Sequence, residues 1–134
     1  MTNAIEKGTS FSIRMRVRFE KTVESPIFAY TVKNLQGTEI TGTNTLFEKI
    51  PVESAKPGDT FDIEFRQRMT LQGGEYLLSF GCTGYHEGNF RVFHRLYDVL
   101  NITCVSQKNT VGFYDAESEI TVSMLRRGAA GEQS

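Results

Sequence analysis

Apolar and polar residues alternate with a period of two along most of this chain. Phe11, Ile13, Met15, Val17 and Phe19 fall on one side of an extended backbone, and Ser12, Arg14, Arg16 and Arg18 fall on the other. That is the pattern of a half-buried strand. Phe28, Tyr30 and Val32 alternate in the same way with Ala29, Thr31 and Lys33, and Asn34-Leu35-Gln36-Gly37 then supplies a turn before a short strand through Ile40. A less regular stretch leads to Pro57-Gly58-Asp59, where proline presets φ and glycine takes the corner. Phe61, Ile63 and Phe65 follow against Asp62, Glu64 and Arg66. Beyond Gln72-Gly73-Gly74 the period resumes at Tyr76, Leu78 and Phe80. Residues 81–94 read as a glycine-containing loop, and residues 96–105 as a long β-rich run. Ile120 and Val122, alternating with Thr121 and Ser123, predict one more short strand.

No segment carries the 3.6-residue period of a helix, so the prediction is all-β: strands joined by turns into an antiparallel sandwich or barrel. Leu71-Gln72-Gly73-Gly74-Glu75-Tyr76 has the Leu-x-x-Gly-x-Tyr spacing of a tyrosine corner, in which the phenol hydroxyl bonds back to the backbone of the preceding crossover. This selects an immunoglobulin-like antiparallel β-sandwich. Tyr76 then marks the penultimate strand and residues 96–105 the last one, which leaves the Ile120 strand over. That strand needs an edge to pair with, in its own domain or in a second copy.

With 134 residues the chain is long enough for one sizeable core and short for two. A single domain is expected over 1–134, with an ordered core at about 9–124 and a polar tail at 126–134. The 15 Lys and Arg against 16 Asp and Glu give a formal net charge of -1, so no global field gathers nucleic acid or anionic lipid. No apolar run approaches the ~20 residues that cross a bilayer, and no secretory segment opens the chain. The chain as given is expected to be soluble and unexported. Cys82 and Cys104 are too few for a disulfide framework and sit in apolar stretches, where two buried free thiols are expected.

The chemistry of catalysis is hard to find. There is no Gly-x-x-x-x-Gly-Lys-Ser/Thr run to cradle phosphates, so the chain is no complete ATPase. His86 and His94 stand eight residues apart with Glu87 and Asp98 nearby, which is not a zinc spacing. No Gly-x-Ser-x-Gly elbow is present. Acids such as Glu75, Glu87 and Asp98 are available for glycoside hydrolysis, but their number is not a geometry. The expectation is a protein with no catalytic residues, no metal and no cofactor.

A ligand is suggested instead by residues 81–94, which combine glycines with rings and planar polar side chains. A pyranose offers C–H patches that stack on aromatic faces and hydroxyls that bond Asn, Glu, His and Arg. Tyr85, His86, Asn89 and Phe90 are the candidates there. The plainer reading is a hairpin loop whose Phe90 and Phe93 are core. If Leu100, Ile102 and Cys104 face inward, Tyr97, Asn101 and Thr103 face outward and line an open sheet face, so Tyr97 and Asn101 join the candidate set. The row Arg14, Arg16 and Arg18 reads as a solvated strand face. Asn101-Ile102-Thr103 matches the N-glycosylation pattern within a predicted strand, which reads as coincidence.

Pro26-Ile27-Phe28-Ala29-Tyr30-Thr31-Val32, Gly37-Thr38-Glu39-Ile40 leading to Gly42-Thr43-Asn44-Thr45, Pro57-Gly58-Asp59 and Gly74-Glu75-Tyr76 occur in an order and spacing that resembles one family. This is the Wzt-type C-terminal carbohydrate-binding domain of ABC-transporter ATP-binding subunits, which serve export of O-antigen and related cell-surface polysaccharides. The resemblance covers most of residues 9–123, with Ala29 where the family pattern has glycine. It implies an immunoglobulin-like sandwich that binds the bacterial polysaccharide on the cytoplasmic side, at the inner face of the membrane, and contributes to substrate selection. It also implies a nucleotide-binding domain in the full-length chain, and it favours a homodimer formed by exchange of C-terminal strands. Two rivals stay open: an immunoglobulin-like protein-interaction module without glycan binding, and a small hydrolase whose site is assembled in space.

Overall fold

The period-two alternation becomes seven strands in two layers. The computed structural model describes residues 2–128, and the side chains of all of these except Thr2 and residues 94–99. The strands are β1 (Thr2–Glu6), β2 (Ser10–Arg18), β3 (Glu24–Asn34), β4 (Glu39–Asn44), β5 (Thr60–Arg68), β6 (Gly74–His86) and β7 (Asn89–Val105). One sheet has the order β1-β7-β6-β3-β4, and the other is the pair β2-β5. Every pairing is antiparallel except that of β1 with β7. The chain is thus an all-β sandwich, as the alternation predicts.

Between the layers the inward residues form two clusters. Ile13, Tyr30, Val32, Met69, Tyr76, Leu78, Ile102 and Cys104 fill one end, and Phe19, Val23, Phe28, Ala55 and Cys82 fill the other. Phe28, Met69, Leu78 and Val23 are fully buried, and each such side chain contributes ~1.5–3 kcal/mol relative to exposure. Phe19 and Phe61 meet edge to face with centroids 5.5 Å apart, and Phe28 lies beside both, which ties β2, β3 and β5 together. Cys82 and Cys104 are free and buried, as expected. The tyrosine corner is formed: Tyr76 Oη donates to the Gln72 carbonyl at 2.6 Å.

Three elements differ from the reading of the sequence. Residues 81–94 are not a loop, because β6 runs on to His86 and β7 starts at Asn89, leaving Glu87 and Gly88 as a tight turn with φ of 51° and 78°. Positive φ at both central residues is the geometry that two-residue hairpins favour. Gly84 serves close packing rather than flexibility: a Cβ there would lie 2.7 Å from Val23 Cγ1. Residues 120–122 form no strand and pair with nothing among the described residues; Ile120 and Val122 stand 83% and 88% exposed. Finally, β1 is a strand that local alternation does not announce, since its partner β7 lies about a hundred residues away in sequence.

The two layers are unequal. The outer edge of β5 has no partner among the described residues, and the inward row Phe61, Ile63 and Phe65 stays only partly buried. A groove of about 940 Å³ runs between this edge and β4, lined by Phe61–Gln67 on one wall and Thr41–Thr45 on the other.

Candidate functional site

All six residues singled out from sequence lie on the long β6–β7 hairpin, four of them at its tip. In its register Tyr85 opposes Phe90 and His86 opposes Asn89, so the turn at Glu87 and Gly88 brings all four to the tip. The Tyr85 and Phe90 rings meet edge to face, centroids 5.5 Å apart, and remain 40% and 55% exposed. Phe90 is therefore not core, whereas Phe93 packs against the buried cluster around Val23 and Phe28. His86 Nδ1 lies 2.7 Å from the Thr22 carbonyl. A carbonyl only accepts, so Nδ1 carries the proton and Nε2 is left toward the exposed Glu87 carboxylate at 3.7 Å. The ring is thereby tied to the chain that enters β3. Among the described residues the exposed Asn89 side-chain amide makes a long 3.5 Å contact to the Glu87 carbonyl.

Asn101 does not join this tip. It lies eleven residues along β7 from Phe90, roughly 35 Å at strand rise, and is paired in register with Leu77 and Thr2. Asn101 is exposed on the outer face of the large sheet. There the registered row Asn101, Leu77 and Lys33 crosses three strands, beside a row of small residues, Gly42, Thr31 and Ser79. The Tyr97 side chain lies outside the described residues. The candidates thus divide between an aromatic hairpin tip and a shallow outer sheet face.

The rest of the chemistry is structural. Burial pushes the Cys82 thiol up to about 11, which makes it a poor nucleophile at neutral pH. Arg14 and Arg16 pair with Glu64 and Asp62 across β2–β5 at 2.9 and 2.6 Å, and hydrogen bonds from these guanidinium groups hold both carboxyls below their ordinary values. That settles the arginine row as a self-neutralised surface. Among the described residues no three of His, Cys, Asp and Glu gather as a metal site would need, and no helix is long and apolar enough to cross a membrane.

One cluster escaped the sequence reading. The buried Asp115 carboxylate accepts the Glu117 amide at 2.7 Å and meets Lys7 and Lys108 at 3.0 and 3.2 Å. These contacts, the Glu117 amide first, hold its carboxyl down at about 2. Lys7 and Asp115 are so distant in the chain that no local pattern announces the pair.

Fold and surface together define an immunoglobulin-like β-sandwich module that presents rings and planar polar groups on one projecting hairpin. The chain belongs to the Wzt C-terminal domain family, which matches over residues 1–116. That family is a non-catalytic domain of the ABC-transporter system for polysaccharide export. The fold is similar to a solved crystal structure of the C-terminal domain of Wzt, with a TM-score of 0.80 and 24% identity over 90% of this chain and 74% of that one. A search of curated protein sequences gives no match.

Proposed function

We propose that this domain binds the polysaccharide handled by its exporter, without catalysis, on the cytoplasmic side of the membrane, and so contributes to the choice of polymer. The observation that carries this reading is the exposed Tyr85–Phe90 pair with His86 and Asn89 beside it. An edge-to-face pair offers one ring face for a sugar's C–H patch, and the fixed imidazole and the exposed amide supply hydroxyl partners. A projecting tip encloses little of a ligand, so affinity for a single repeat unit is modest and a polymer binds through many repeats. Tyr85→Ala/Phe90→Ala is expected to weaken binding of the exported polymer at least tenfold in affinity electrophoresis, with an unchanged unfolding midpoint. Wild-type retardation by that variant removes the tip from the site and leaves the outer face around Asn101.

The same reading includes a homodimer formed by exchange of C-terminal segments. Residues 118–125 carry Ile120, Val122 and Leu125 at 83%, 88% and 97% exposure. The unpaired β5 edge offers a matching period-two row in Phe61, Ile63 and Phe65. A strand from a second copy in the groove beside β5 covers both apolar rows and satisfies both backbones by one two-fold operation. The alternative is an interaction module for protein, favoured by Leu46 and Phe47, which a hydrogen-bonded turn holds out in solvent.

A further inference from the structure

The hairpin tip has two faces, and the alternation of β6 and β7 sorts the candidate residues between them. Gly84 and Phe93 face the core, since a Cβ on Gly84 would meet Val23 and Phe93 packs in the cluster around Val23 and Phe28. Two residues on from Gly84, His86 lies on the same inner side, in agreement with its bond to the Thr22 carbonyl, and Asn89 is registered opposite it. Tyr85 and Phe90 therefore stand on the outer side. The rings and the polar pair meet different units of a polymer that passes the tip. One outward position further along the strands, about 7 Å on, Ile27, Thr83 and Val92 form a registered row across β3, β6 and β7. Val92 is exposed and Ile27 partly so. This row extends the ring face into one apolar platform open to solvent. Among the described residues, its polar neighbours are the Thr83 hydroxyl and Glu24, which is registered with Tyr85.

That balance of groups selects among sugars. The C–H patch of a pyranose stacks on a ring, and the substituent on its C5 then reaches the aliphatic row. A methyl there leaves water against Val92 and Ile27, whereas a hydroxymethyl sets a hydroxyl against two side chains that can neither donate nor accept. A carboxylate on the same carbon costs more still. Resting on the glycan reading above, we propose that the outer face of this hairpin is a subsite for a 6-deoxyhexose of the polymer, with Val92 and Ile27 reading the missing hydroxyl. His86 and Asn89, on the other face, take no part in that discrimination.

The test compares the full chain with its Val92→Thr variant by affinity electrophoresis against the surface polysaccharide of the producing organism, with sugar analysis of that polymer. Threonine keeps the outline of valine and puts a hydroxyl in place of one methyl. The polymer that retards wild type is expected to contain a 6-deoxyhexose, and Val92→Thr to bind it about fourfold more weakly, the worth of one buried methylene-sized group. The methyl resonances of Ile27 and Val92 in the wild-type chain are expected to shift when the polymer is added, a readout that needs no variant. A retarding polymer without 6-deoxyhexose, equal retardation of the two proteins, or unshifted methyl resonances overturns the 6-deoxyhexose subsite and leaves the glycan reading standing. No retardation of wild type overturns that reading and the subsite with it.

Discussion

At the scale of residues, single side chains decide local geometry through satisfied polar contacts. Tyr76 is one, its hydroxyl bonded to the Gln72 carbonyl while its ring lies in the core. Tyr76→Phe keeps the ring and loses the bond, so stability is expected to fall by about 1 kcal/mol. A denaturant titration checks this, and an unchanged midpoint means that the corner hydroxyl contributes nothing. The corner was legible in sequence because both of its partners lie within one short motif. The Asp115 cluster was not, because Lys7 approaches from the other end of the chain and only the assembled fold brings it within 3.0 Å.

At the scale of elements, β2, β3, β5 and the first half of β6 were readable from alternation, since each has one face on the core and the other toward solvent. The hairpin around Tyr85 was misread as a loop because Gly81 and Gly84 resemble turn residues. Their positions within β6 explain them otherwise. Gly84 lies under the fully buried Val23, and an added methyl would meet that side chain at 2.7 Å and the Pro26 backbone at 3.2 Å. Gly84→Ala is therefore expected to cost about 1–3 kcal/mol as overpacking, although alanine suits a strand no worse than glycine does. Thermal unfolding of that variant at the wild-type midpoint would show that the hairpin has room to shift. Four candidate residues lie near one another despite the misread element, because a tight turn and a loose loop both keep neighbours in sequence close in space. Asn101 entered the candidate set by strand-face parity, as part of an open sheet face, and the length of β7 keeps that face apart from the tip.

At the scale of the whole molecule, the sandwich has a five-stranded layer and a two-stranded one, and its C-terminal arm has the alternation of a strand without a partner among the described residues. On the exchange between two copies proposed above, the arm of one copy pairs with the two-stranded layer of the other. If the proposed glycan reading holds as well, two tips on one such particle bind repeats of a polymer more tightly than either does alone. The fold class was legible in sequence because turn signals and alternation agree along β2, β3 and β5, whereas the proposed assembly depends on an edge that only the strand order reveals. The central claim is recognition of the exported polysaccharide, and calorimetric titration of the purified domain with the polymer of the producing organism tests it most directly. Saturable heat of binding at millimolar or lower repeat-unit concentration, absent with an unrelated polysaccharide, is the predicted result. No heat up to that concentration with the organism's own polymer would contradict the account.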